Sequence, residues 1–267
     1  MTTGQLMIFN PVAVFTMALS ALFVLPFAAA EDWGTLKGRI SVVGTVPPPD
    51  AIDVTRDADV CGKPGLADES VLVNPDNQGL RNAVIWLTSK AEVPVHPSYS
   101  DPMPVRFDNH DCRFVPRIST LRTGQILQCT NSDPVAHNVA VYARRNQPFS
   151  IVVPQDKPLE RSFAREEQLP IRVDCSIHAW MRAWLVITDH PYAAVTDADG
   201  RFEIPNLPQG KWQFRFWHER PGYITALTTP EGPVELARGI QEIDISGPEI
   251  DLGELKLDAA VLLPEKK

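Results

Sequence analysis

Positive charge is scarce in this chain. The first 36 residues contain no Lys or Arg, and the full 267 residues carry 25 Lys+Arg against 33 Asp+Glu, a formal net charge of −8. A binder of phosphate backbones needs clustered cations, and Arg144-Arg145 is too short to be such a patch, so nucleic acid is excluded as a partner. Helical signals are also missing, with no helix longer than a turn or two legible after residue 30. None of the serines lies in a nucleophile-elbow context, so no catalytic residue is expected and the chain reads as a non-enzyme. The four cysteines, Cys61, Cys112, Cys129 and Cys175, allow three full pairings by number alone.

What the chain does have is proline. There are 25 among 267 residues, nearly twice the usual ~5%. Proline interrupts helices and central strands, so short strands joined by turns are expected. With 44% hydrophobic residues the composition is globular, and the length suits one large or two modest domains.

Val12 to Phe27 is an apolar run that ends in Ala28-Ala29-Ala30 before Glu31. This reads as a signal peptide over residues 1–30, cleaved before Glu31, despite its lack of a positive n-region. An uncleaved anchor is the alternative, although Pro11 and Pro26 shorten the usable run. The mature chain is then periplasmic or secreted, has no membrane span, and meets conditions in which cysteines pair.

Gly34 to Gly44 alternates as a strand, residues 50–79 read as a long polar loop containing Cys61-Gly62, and Leu80 to Thr88 is a strand. From Val105 strand signals become closely spaced: Cys112 to Ile118, Gln125 to Thr130, His137 to Tyr142, Phe149 to Val153, Leu159 to Phe163, Leu169 to Cys175 and Trp184 to Thr188. Such spacing is the signature of a β-sandwich. A third region opens with Ala194 to Ile204, read as a hairpin around Asp199-Gly200, followed by a strand from Lys211 to Trp217. The fold class is therefore all-β, with two β-sandwich domains.

The most informative string is Asp174-Cys175-Ser176-Ile177-His178-Ala179-Trp180-Met181. A thiolate, an imidazole three residues on and a thioether three beyond that form a soft ligand set suited to copper cycling between Cu(I) and Cu(II). A second imidazole must come from elsewhere, and Asn131-x-Asp133-x-x-x-His137-Asn138-Val139 places His137 at the start of a strand. At these residues, roughly 105–189, the sequence resembles the cupredoxins, most closely the amicyanin type with its C-x-x-H-x-x-M loop. The resemblance implies a Greek-key cupredoxin domain over 101–189 holding one copper per chain. Its equatorial ligands would be His137, Cys175 and His178, its weak axial ligand Met181, and Asn138 would tie the two ligand segments together. Ala179 and Ala183 stand where the amicyanin loop has proline and glycine, and neither change removes a ligand.

The remaining histidines, His96, His110, His190 and His218, form no H-x-H or H-C-H, and Cys175 has no neighbouring cysteine. A trinuclear or binuclear copper centre is thereby excluded. What remains is a mononuclear site for outer-sphere electron transfer, serving a redox partner protein that the −8 charge suggests is basic. With Cys175 a ligand, the polar surroundings of Cys61 and Cys112 favour pairing these two, which leaves Cys129 a buried thiol. Electrons are expected to cross an apolar surface around His178. Asp197-x-Asp199-Gly200 is read as turn chemistry and not a calcium loop, and His218 as a structural histidine.

Gly34 to Ile40, Asn82 to Trp86 and Val195 to Gly210 resemble a carboxypeptidase regulatory-like, transthyretin-like sandwich. That resemblance implies a domain over 33–100 and 190–262, interrupted by the cupredoxin. Two other functions fit the same residues: a non-redox module that binds carbohydrate or an envelope protein and carries a vestigial copper site, and a copper-handling protein.

Overall fold

The computed structural model describes residues 1–2, 33–63, 65–89 and 91–263. The chain divides into two units, 1–30 and 31–267. Apart from Met1 and Thr2 the first lies outside the described residues, and the signal-peptide reading falls there. Among the described residues no helix is long and apolar enough to cross a membrane.

The second unit is all-β, built from four sheets. Two of them use only strands between Val105 and Thr188. One sheet runs Arg113–Val115, Val105–His110, Leu127–Asn131, Leu159–Arg161; the other runs Ile118–Arg122, Arg182–Thr188, Ile171–Asp174, His137–Val141, Phe149–Val153. Their inner faces share a core that includes Phe107, Phe114, Leu127, Val139, Val173 and Leu185. His137–Val141 is buried at every position, its polar His137 and Asn138 included.

The other two sheets draw on both ends of the unit. Trp33–Val43 lies between Arg201–Pro208, antiparallel, and Glu249–Asp258, parallel. Facing it, Gly210–His218 pairs with Val84–Thr88 and Ile240–Ile245. Leu36, Ile40, Ile85, Phe214, Phe216 and Leu257 fill a second core between them. Arg201–Pro208 alternates exposed and buried residues through its first half, the period of a half-buried strand.

A third, smaller cluster joins the cores, where Val84, Trp86 and Trp217 meet Ile118 and Val186. Beside it Arg117 donates to both carboxylate oxygens of Glu219 at 2.6 and 2.9 Å, and Trp184 Nε1 donates to the same carboxylate at 3.1 Å.

The expected hairpin at Asp199-Gly200 is a corner. The turn is tight, with Gly200 N–H donating to Asp197 O at 3.1 Å, but the flanking strands enter different sheets. Ala193–Val195 pairs with Val84–Trp86, whereas Arg201–Pro208 pairs with Trp33–Val43. Gly200 has φ +77°, and a Cβ there would lie 2.1 Å from Ile40 O, so only glycine allows the first strand to pass so close. The described residues of 50–79 are irregular as expected, apart from one helical turn, Ala58–Cys61, and isolated bridges such as Ala51 to Ala67 and Val73 to Leu80. Val105–His110 is a strand that the sequence reading missed, and Cys112 stands just outside the strand assigned to it, in a left-handed turn with Asp111.

Candidate metal centre

Strands Ile171–Asp174 and Arg182–Thr188 are antiparallel neighbours with Asp174 opposite Arg182, so residues 175–181 close one end of the sheet. Two backbone bonds hold this loop: Cys175 N–H donates to Met181 O at 3.2 Å, and Met181 N–H donates to His178 O at 3.0 Å. His137–Val141 lies on the other side of Ile171–Asp174, which brings its first residue to the same end.

The ligand atoms of His137, Cys175 and His178 all lie within 4.8 Å of one another. Both imidazole Nδ1 atoms face inward, 3.0 Å apart, and Cys175 Sγ is 3.9 Å from that of His178. The three residues are at most 2% exposed, as is Met181 at the end of the loop. Asn138 connects the two segments as expected. Its Oδ1 accepts from Ser176 N–H at 2.7 Å and from Cys175 Sγ at 3.5 Å, and its Nδ2 donates to Ser150 Oγ at 3.0 Å.

The outward nitrogens carry information that the sequence reading did not contain. His137 Nε2 donates to Asp133 at 2.9 Å, and His178 Nε2 donates to Asp57 at 2.8 Å. A carboxylate only accepts, so each Nε2 bears a proton and each Nδ1 is the nitrogen left to bind a metal. Asp133 was legible as the fourth residue before His137. Asp57, 121 residues from His178, carries no local signal at all.

The charges are arranged to match. Burial opposes the imidazolium of His137, but its bond to Asp133 and the neighbouring Cys175 outweigh burial and raise its pKa to about 9. Burial likewise pushes the Cys175 thiol up, yet His137 and the backbone N–H groups around it bring it below the ordinary value. Burial and the charge of His137 hold His178 low despite Asp57. The surroundings thus favour negative charge on Cys175 beside positive charge on His137, a distribution that a cation replacing the proton would satisfy. Two inward imidazoles, a thiol of lowered pKa and a buried thioether on the same loop as that thiol fit a copper ion.

The expected disulfide is present: Cys61 and Cys112 are bonded with Cα atoms 5.4 Å apart. Cys129 is a buried free thiol pushed up to about 12 by burial. The apolar surface expected around His178 is present, but His178 itself does not reach it. Ala136 and Ala179 are exposed, but His178 is 0% exposed, because the 52–66 loop folds over it. Ile52, Val54 and Leu66 pack there with the disulfide and Trp180.

No family model matches the chain, and no curated protein matches it. Similar solved structures include the copper-containing nitrite reductase of Thermus scotoductus, 17% identical over 38% of this chain and 25% of that one, with a TM-score of 0.30. A purple cupredoxin from Nitrosopumilus maritimus is 18% identical over 31% of this chain and 97% of that one, with a TM-score of 0.26. Amicyanin from Paracoccus versutus is 19% identical over 39% and 96%, with a TM-score of 0.29. The chain spans only a quarter of the nitrite reductase, and these matches lend no support to the transthyretin-like resemblance of the flanking segments. At such scores the roles of residues rest on the site's own geometry.

Proposed function

We propose that this chain is an exported electron-transfer protein that holds one copper ion on His137, Cys175 and His178, with Met181 as a weak axial ligand. The observation that carries the reading is the pair of Nδ1 atoms turned toward one buried cysteine sulfur while both Nε2 atoms are held by carboxylates. Copper bound there would exchange one electron between Cu(I) and Cu(II). The chain's own part is to hold both rings in one tautomer, to keep the thiolate charged through backbone N–H donors, and to exclude water by burial. No residue is assigned a catalytic role.

The separate core between Phe107 and Ile187, flanked by a core built from both ends of the unit, supports reading 101–189 as a domain inserted into a second sandwich over 33–100 and 190–262. Residues 50–69 carry Asp50, Asp53, Asp57, Asp59, Asp68 and Glu69 against Arg56 and Lys63. The loop over the centre is therefore acidic, which suits a basic redox partner.

Addition of Cu(II) is expected to give an intense visible thiolate-to-copper band at one copper per chain. Cys175→Ser should abolish it, while Met181→Leu should leave copper bound with a shifted potential. A colourless protein whose mass does not change on loading would overturn the proposal.

A further inference from the structure

We infer that Asp57 is a positioning residue for His178, delivered by a cap that the Cys61–Cys112 disulfide locks onto the centre. The inference rests on reading His178 as a copper ligand.

Asp57 stands just before the helical turn Ala58–Cys61, where an aspartate ordinarily spends its carboxylate on the backbone N–H groups of the first turn. Here the side chain makes no such bond. It reaches out of its own loop to His178 Nε2 at 2.8 Å, from a residue held at φ 50° and ψ 41°. That left-handed backbone is uncommon for a residue with a side chain, and the carboxylate is turned from a local bond to a distant one.

The turn that starts at Asp57 ends at Cys61. Asp57 O accepts from Cys61 N–H at 2.8 Å, so the disulfide lies one helical turn from the carboxylate it steadies. At the other end of the disulfide, the N–H groups of Asp111 and Cys112 donate to Asp133 at 2.7 and 2.8 Å. The same Asp133 carboxylate accepts from His137. A ring of contacts therefore runs His137, Asp133, Cys112, Cys61, Asp57, His178, and the disulfide is the covalent link in it. Trp180 completes the cover: its ring centroid is 5.1 Å from that of His178, and its Nε1 donates to Cys112 O at 3.1 Å. Outer partners of this kind fix the tautomer and orientation of a ligand. Without the disulfide nothing covalent holds Asp57 in place, and both the tautomer of His178 and the cover over it are released.

Asp57→Gly removes the carboxylate while glycine keeps the positive φ without strain, and Asp57→Asn keeps an acceptor oxygen. Cys61→Ala/Cys112→Ala tests the lock. In long-range 1H–15N correlation spectra of the metal-free proteins, the parent and Asp57→Asn should show His178 as the Nε2–H tautomer. Asp57→Gly and the double variant should show a mixture. With Cu(II) loaded, transfer to excess EDTA should be about 10–100-fold faster for Asp57→Gly and the double variant than for the parent, with Asp57→Asn nearer the parent. An unchanged tautomer together with unchanged transfer in Asp57→Gly would overturn the assignment. If the parent takes up no copper the functional reading falls, and the tautomer shift alone decides whether Asp57 positions His178.

Discussion

Two buried groups behave oppositely because their surroundings differ. Cys129 lies in an apolar core and is pushed to about 12 by burial, while Cys175 is drawn below its ordinary value by His137 and nearby N–H groups. Alkylation depends on the thiolate, so limited iodoacetamide treatment of the metal-free protein should modify Cys175 before Cys129, and copper loading should protect Cys175. Peptide mapping reads the order, and earlier labelling of Cys129 would contradict it. His218 is 0% exposed, and burial, with Arg117 nearby, pushes it down to about 3. It is neutral in the fold, whereas an unfolded histidine takes up a proton below about 6.5. Its contribution to stability is therefore present above pH ~6.5 and is lost as pH falls toward 3, by up to about 1.4 kcal/mol per unit. In His218→Asn, which keeps an acceptor for Arg220 N–H, the decline of denaturant midpoint between pH 6.5 and 4 should be shallower. Equal slopes in the two proteins would show that His218 does not set it.

The 52–66 loop has almost no regular structure of its own and is held by its contacts. Its apolar residues, Ile52, Val54, Val60 and Leu66, are few, and its covalent cross-link to the rest of the fold is the disulfide, which joins positions 51 residues apart. Closing a loop of that length is worth about 4 kcal/mol on the chain-entropy account. Cys112→Ala should lower global stability by an amount of that order, and limited proteolysis should then cut first between residues 52 and 66. Cleavage elsewhere would mean that the loop is held by packing alone. The corner at Gly200 is an element of the opposite kind, decided by one residue. Its positive φ and the 2.1 Å approach to Ile40 O leave no room for any side chain.

At the scale of the whole molecule the two cores meet at the cluster of Val84, Trp86, Trp217, Ile118 and Val186. The Arg117 and Glu219 side chains are 12% and 4% exposed, so removing one leaves the other charged and without its partner in the seam. Glu219→Ala is expected to cost about 3–5 kcal/mol, read as a shift in urea midpoint. A change below about 1 kcal/mol, the usual worth of an exposed pair, would show that solvent reaches the seam. Electron exchange with a basic partner should slow as salt rises, because the acidic 50–69 loop lies over the centre. Rates independent of ionic strength would place docking elsewhere.

The reading from sequence reached the all-β class, most strand positions, the disulfide pair and the buried Cys129, and it named His137, Cys175 and His178, whose side chains meet in the fold. All of these depend on short-range patterns: alternation along strands, turn residues, and a thiolate, imidazole and thioether within seven positions. Asp133 lies within that reach and could have been found as a fourth residue before His137. The rest depends on chain segments that meet only in three dimensions. The Asp199-Gly200 turn reads as a hairpin because turn chemistry is the same whether the next strand returns to its neighbour or crosses to another sheet. Only the pairing of Arg201–Pro208 with Trp33–Val43 decides it. The cover over His178 was out of reach for the same reason. The residues beside it in sequence are apolar, but what covers it comes from a loop more than a hundred positions away, and burial and hydrogen bonding depend on distance in space.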